Sequence, residues 1–289
     1  MGIEIGLIFA FLAMLCWGFG DFFIQRSVRK VGNIEALAFI GIIGAIGLFP
    51  FVLGDLKLIF SLQNLLLLGF LGILTFVVAL LDFEALKEGK ISVIDVIIEL
   101  ELPVTIILGF IFFRESLTMM QLGVISLIFV GVVLIASKKH SFDHPFKKLE
   151  KGVFIAFLAA IGMGLINFFT ATSSKTISPM MAVWVPWVIF TIICLFFIYR
   201  REGMSKFVKN GIKFKWLLLA MGIFDTLAWL FYANAVFGNE IAITTAITES
   251  YPVVALFLGL WFNQEKIKIH QYVGAGLALI SSFALAFLI

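Results

Sequence analysis

The residues with the most chemistry in this chain are carboxylates, and they stand where carboxylates are costly. Ser92, Asp95 and Glu99 fall at i, i+3 and i+7 inside an apolar run, which gathers them within about 60° of one helix face. Two carboxylates one turn apart in low dielectric repel, and a proton held between them relieves the repulsion, so the pair is a candidate proton carrier. Asp225, Trp229 and Tyr232 lie at i, i+4 and i+7 in another run. Trp17, Asp21 and Gln25 share a face in the first run, and Asn167, Thr170 and Ser174 in a third. Carboxylates flanked by aromatic rings suit an amine or other organic cation, through charge pairing and cation–π attraction. Trp and Tyr also favour membrane interfaces without recognising anything. Trp187, beside Pro186, is open to both packing and pocket-lining readings.

These groups sit in a chain that is 62% hydrophobic and 13% charged, against about 25% charged in soluble domains. Mean hydropathy is +1.13. Ten apolar runs are long enough to span a bilayer, near 5–25, 34–53, 63–83, 91–112, 118–137, 152–172, 179–199, 216–236, 241–262 and 271–289, given the roughly 20 residues a spanning helix needs. The sequence predicts an all-α integral membrane protein. The remaining residues leave no room for a soluble catalytic or nucleic-acid-binding domain. The first run has only Glu4 ahead of it and is expected to be retained rather than cleaved as a signal.

None of the 21 basic residues falls well inside a run, whereas Asp21, Asp82, Glu84, Asp95, Glu99, Glu101, Asp225 and Glu249 do, or close one. A carboxylate at the bilayer centre costs about 2.5–3.5 kcal/mol even on the lenient insertion scale. These groups are therefore expected to line a wet cavity, carry protons or lie near the interface. Asp82 and Glu84, beside Lys87, fit the interface. Glu101 points about 200° away from Glu99 on a continuous helix; it either meets another helix or marks an unwound segment before Pro103.

The chain also repeats itself. Gly89 returns as Gly238 and Pro103 as Pro252 at a shift of 149, Glu115 as Glu265 and Gln121 as Gln271 at 150. Gly18, Asp21, Phe22 and Phe23 return as Gly164, Asn167, Phe168 and Phe169 at 146. The expected halves are 1–138 and 152–289, joined by a basic linker at 139–151. Five spans per half is an odd number, so the second half must enter the membrane inverted, with a central cavity between halves. In this register Thr244 stands opposite Asp95 and Thr248 opposite Glu99, while Glu249 is displaced by one residue. Glu115 and Glu265 fall at hairpin ends, where capping is expected.

If the N-terminus and the even-numbered loops share a side, that side holds only Lys57, Arg114 and Lys175 of the 21 basic residues. The excess on the other side places both termini outside the cytoplasm. Met204, Phe207, Val208, Ile212 and Phe214 stand among lysines in the second basic loop, which fits either a surface-lying helix or a solvated loop.

Trp17-Gly18, Pro103 followed by Arg114-Glu115, Gln121 and Gly123, and Pro252 followed by Glu265, Gln271 and Gly274 resemble the ten-helix EamA-type members of the drug/metabolite transporter superfamily. The resemblance covers the whole chain. It implies a pseudo-symmetric bundle with a central cavity that carries amino acids, other small metabolites or drugs, often outward. Members that carry organic phosphates are expected to present Lys or Arg to the anion, and no span here supplies one. Asp21, Asp95, Glu99 and Asp225 are not part of that pattern.

The resulting expectation is a multi-pass plasma-membrane permease for a small organic solute, working by alternating access with proton coupling. Its site is expected at Asp95, Glu99, Asp225, Asp21, Trp17, Gln25, Asn167, Trp229, Tyr232, Thr244, Thr248, Glu249 and Trp187. An uncoupled facilitator of the same fold and a non-transporting sensor or assembly subunit stay open beside it. No cofactor, metal or nucleic acid is expected, and a monomer suffices. An enzyme is disfavoured, since no His-Glu-x-x-His or Gly-x-Ser-x-Gly occurs and the three histidines lie between runs.

Overall fold

A computed structural model of the chain describes residues 3–88, 98–136, 151–262 and 268–288, and no strand occurs among them. Apolar runs of this length have one stable local answer, because in hydrocarbon each backbone N–H and C=O must find its partner within the segment. The helices are α1 Ile3–Val31, α2 Asn33–Val52, α3 Leu62–Glu88, α4 Glu101–Leu108, α5 Met119–Ala136, α6 Lys151–Thr176, α7 Pro179–Phe197, α8 Met204–Lys213, α9 Lys215–Gly238, α10 Ile241–Thr248, α11 Pro252–Phe262 and α12 Ile269–Ala286. Among the described residues, seven helices are long and apolar enough to cross a membrane, in α1, α2, α3, α6, α7, α9 and α12. Glu101–Phe113 and Met119–Ile135 form shorter apolar helices. Large apolar side chains stay exposed around the bundle, Phe51, Phe112, Met119 and Trp261 among them, as expected where lipid is the solvent.

The run expected as a single ninth span is divided. Residues 249–251 form a turn between α10 and α11. The backbone is stitched there by short-range bonds, Ser250 N–H to the Ile247 carbonyl at 3.2 Å and Tyr251 N–H to Thr248 at 3.0 Å. The fourth run has a matching turn at Glu99–Leu100 before α4, with Leu102 N–H donating to Glu99 at 3.3 Å. The cause is local. Pro252 opens α11 and Pro103 lies in the first turn of α4, positions where a missing N–H is harmless but where the preceding residues are pushed out of helical geometry. Asp95, Ser92 and Gly89 lie outside the described residues, as do Glu265 and the linker from 139 to 150.

Packing pairs α1 with α9, α3 with α6, α2 with α7 and α5 with α12. Two of the contacts are made twice. A Cβ on Gly18 would lie 2.4 Å from Val254 and 3.1 Å from the Tyr251 carbonyl; one on Gly164 would lie 2.6 Å from Val104 and 3.0 Å from the Glu101 carbonyl. Only glycine lets α1 and α6 approach the restarted helices so closely. Gln121, at the start of α5, accepts from Thr118 N–H at 2.8 Å and donates to the Leu288 carbonyl at 3.3 Å. Gln271, at the start of α12, accepts from Lys268 N–H at 3.0 Å and donates to the Ile135 carbonyl at 2.8 Å. Each glutamine caps its own helix and reaches the far end of the other, so α5 and α12 run antiparallel.

Candidate functional site

The two helix interruptions meet. Glu101, the first residue of α4, and Glu249, in the turn after α10, are 3% and 2% exposed and are neighbours, close enough for their carboxyl groups to interact. Two bare carboxylates have no donor, so a hydrogen bond between such neighbours requires a proton on one of them. Glu249 Oε1 also accepts from Asn167 Nδ2 at 3.4 Å. The Tyr232 hydroxyl donates to the Asn167 carbonyl at 3.3 Å and lies 3.0 Å from Thr245 Oγ1. The charges of Asp21 and Asp82 reach Glu101, and those of Asp21 and Glu99 reach Glu249. Glu99, just before α4, is buried like the pair, whereas Asp21 of α1 and Asp82 of α3 are half-buried around it.

Aromatic rings continue the site. Trp17 of α1 stands 5.1 Å from the Trp229 ring, 5.5 Å from Tyr232 and 6.3 Å from Tyr251. Trp229 in turn lies 6.0 Å from Trp187, edge to face. The row Tyr251, Trp17, Trp229, Trp187 leads from the glutamates toward Asp225, which lies one turn before Trp229 on α9. Asp225 and Thr226 are 8% and 5% exposed. Gly44 of α2 lets Thr226 and Trp187 pack against its backbone: a Cβ there would lie 2.6 Å from Thr226 Oγ1 and 2.8 Å from Trp187 Nε1. Both polar atoms are buried without a hydrogen-bond partner among the described residues.

The expected acidic face is therefore re-sorted. Glu99 joins the glutamate group, whereas Asp225 stands about 10 Å along α9 from Tyr232, which contacts that group. Glu99, Glu101, Glu249 and Asp225 are buried, whereas Asp21 and Asp82 are half-buried. Thr248 spends its hydroxyl on the Thr245 carbonyl at 3.0 Å, and Thr244 is buried with its hydroxyl unpartnered among the described residues. Gln25, one turn after Asp21 on α1, is exposed.

Glu101, Tyr251, Thr245 and Thr226 enter the neighbourhood although sequence reasoning did not assign them to it. For Glu101 the signal was present: an acid two residues before Pro103 and another three before Pro252. The reading that Glu101 meets another helix or marks an unwound segment before Pro103 fits the turn at Glu99–Leu100; what spacing did not give is its neighbour Glu249.

A second polar cavity of about 540 Å³ opens at one end of the bundle, lined by Arg114, Glu115, Gln121, Lys175, Asn239 and Glu240 among others. Arg114 ends its helix in the left-handed region, φ 53°, which turns Glu115 across to α10. The Glu115 carboxylate accepts from the N–H groups of Ile241 at 2.5 Å and Ala242 at 3.0 Å, so it caps a helix 126 residues away. The capping expectation held, on a different helix from its own hairpin. Lys175 donates to the Asn239 carbonyl at 2.8 Å. Burial and the Glu115 charge push the Glu240 carboxyl above its ordinary range, against the opposing pull of Lys175. Among the described residues no group of three or more His, Cys, Asp or Glu is placed to hold a metal ion.

Comparison with known proteins bears on both the fold and the repeat. A sequence model described as the EamA-like transporter family matches residues 4–137 and again 150–287. An uncharacterized protein of Methanocaldococcus jannaschii is 25% identical over 135 residues, which is 46% of this chain and 98% of that one. A solved structure, titled only as a crystal structure of a protein, superposes with a TM-score of 0.75 at 14% identity, covering 98% of this chain and 96% of the other. That likeness speaks to the fold alone.

Proposed function

The chain belongs to the EamA-like transporter family, a membrane transporter family of the drug/metabolite type, and from that premise we propose that it exchanges protons for a small organic solute bearing a cationic or amino group. The observation that carries the proposal is the carboxyl pair Glu101–Glu249 at the meeting of two broken helices, with the row of rings ending beside it. A proton between these groups and an ammonium beside them are alternative ways of neutralising the same charge. Occupancy by one disfavours the other, which is the thermodynamic requirement for coupled exchange. Asp225, Thr226 and Trp187 form a second station along the solute path, with Trp17 and Trp229 as cation-attracting walls between the two.

We read the bundle as ten spans in two inverted repeats, 1–138 and 152–289. Three observations support this: the doubled family match, the glycine contacts made once by each half, and the antiparallel reciprocal caps of Gln121 and Gln271. Broken helices whose interruptions meet between repeats are the arrangement expected of a transport site. Alternating access then consists of rocking one repeat against the other, with Glu101 and Glu249 exposed to each side in turn. The bias of the loop charges supports a plasma-membrane protein with both termini outside the cytoplasm.

The test is lumenal pH in proteoliposomes challenged with a panel of amines, zwitterionic amino acids and neutral sugars, comparing the native chain with Glu101→Gln and Glu249→Gln. The proposal expects proton movement with cationic or zwitterionic solutes only, lost in both variants. Labelled amine crossing without proton movement in the native chain would leave a facilitator in its place. Absence of any flux would point instead to a non-transporting subunit.

A further inference from the structure

The basic segment after α7 carries two apolar lines, and among the described residues only one is packed against the bundle. On the inner line Phe207 is 6% exposed and stacks on Phe39 of α2 at 4.3 Å between ring centroids. Beside it Asn210 Nδ2 donates to Glu35 Oε2 at 2.7 Å, and Lys206 Nζ lies 3.4 Å from Glu35 Oε1. Glu35 is fully buried in the first turn of α2, so α8 is seated on the bundle by a ring and a buried carboxylate. The outer line of α8 is Met204, Val208 and Ile212, one residue per turn, with Val208 and Ile212 exposed by 52% and 70%, and Trp216 in the first turn of α9 is exposed by 75%.

Charge is distributed to match that outer line. Residues 200–215 hold Arg200, Arg201, Lys206, Lys209, Lys213 and Lys215 against one acid, Glu202. Lys209 and Lys213 follow Val208 and Ile212 directly, one turn apart on the same side of α8. The Lys213 ammonium lies 5.1 Å from the Phe214 ring and that of Lys215 5.3 Å from the Trp216 ring, so charge and aromatic surface are interleaved along this segment. Water as the neighbour leaves a line of large apolar groups wet, and hydrocarbon alone buries the lysines. A headgroup boundary satisfies both.

We propose that α8 is an interfacial helix that docks on the anionic phospholipid headgroups of the leaflet it meets. Val208, Ile212 and Trp216 enter the acyl boundary, and Lys209 and Lys213 lie on lipid phosphates. Through Phe207 and Glu35 the docked helix fastens the first turn of α2 to that leaflet. The inference does not depend on the solute or on proton coupling.

The experiment uses the full chain in a neutral detergent, titrated separately with phosphatidylglycerol, phosphatidylcholine and inorganic phosphate, reading the thermal unfolding midpoint. Phosphatidylglycerol should raise the midpoint at concentrations where the other two do nothing. Lys209→Ala with Lys213→Ala should weaken that effect on the order of 20-fold, roughly fivefold per lysine near an anionic surface, while Lys209→Arg with Lys213→Arg keeps it. Val208→Ser with Ile212→Ser should weaken binding and retain the preference for the anionic lipid. Equal responses to both lipids, a response to inorganic phosphate matching that to phosphatidylglycerol, or an unchanged response in the double alanine variant would each overturn the proposal.

Discussion

Replacing Glu115 by alanine takes away the only side-chain cap at the start of α10 seen among the described residues. Ile241 and Ala242 are at most 1% exposed, so their N–H groups depend on the Glu115 oxygens. A hydrogen bond to a charged acceptor contributes about 1.5–3 kcal/mol, and loss of an N-cap costs about 0.5–2 kcal/mol. The polar cavity beside Glu115 admits water to the vacated position, which places the pair near the lower end, about 2–3 kcal/mol in all. At roughly 2–4 °C per kcal/mol for a chain of this size, the unfolding midpoint should fall by about 5–8 °C. Glu115→Gln keeps one acceptor oxygen in place and should lose about a third of that. The assay is thermal denaturation of the purified protein in one detergent at one pH. A fall below about 1 °C in the alanine variant, or equal falls in both, would refute the cap as the origin of the effect.

Gly18→Val and Gly164→Val should destabilise in parallel, by about 1–3 kcal/mol each, since each drives a side chain into the helix restarted after a break. Gly69→Ala, with nothing within 4 Å of the new Cβ, serves as the neutral control in the same thermal assay. Trp17→Phe removes the indole that touches Trp229, Tyr232 and Tyr251. It should weaken binding of cationic solutes by about three- to tenfold and leave neutral solutes unaffected, read by equilibrium binding to detergent-solubilised protein. Glu240 gives a pH dependence. Its folded carboxyl holds its proton more firmly than usual, so its stabilising contribution is complete below the ordinary glutamate range and is lost as pH rises through the folded value. Glu240→Gln should therefore raise the unfolding midpoint near neutral pH and leave it unchanged in acid. An equal gain at both pH values would contradict that assignment.

Much of the architecture was legible because lipid is a strict solvent. Apolar length gives an all-helical membrane protein long before any contact is known. The polar positions were legible for the same reason, since Asp21, Asn167, Asp225 and Glu249 stand out against apolar neighbours. Their grouping was not. Helical rotation places residues correctly only along an unbroken helix, and both acids that matter most, Glu101 and Glu249, lie where the helix stops. Thr226 and Trp187 meet only because Gly44 of a third helix leaves room for them, a tertiary fact that spacing within one helix does not carry. Glu115 illustrates the same limit: its type and hairpin position signalled a cap, but the helix it caps is named only by the fold.

The central claim is that proton and solute compete for the Glu101–Glu249 pair, and the most direct test is proton release on binding. Purified protein in weakly buffered detergent solution is mixed with a saturating amine, and the pH change is followed with an indicator dye. The account predicts release of about one proton per amine bound, since one proton satisfies the pair, with release abolished in Glu101→Gln and Glu249→Gln. Amine binding by the native protein with no proton released, or with undiminished release in both variants, would contradict it.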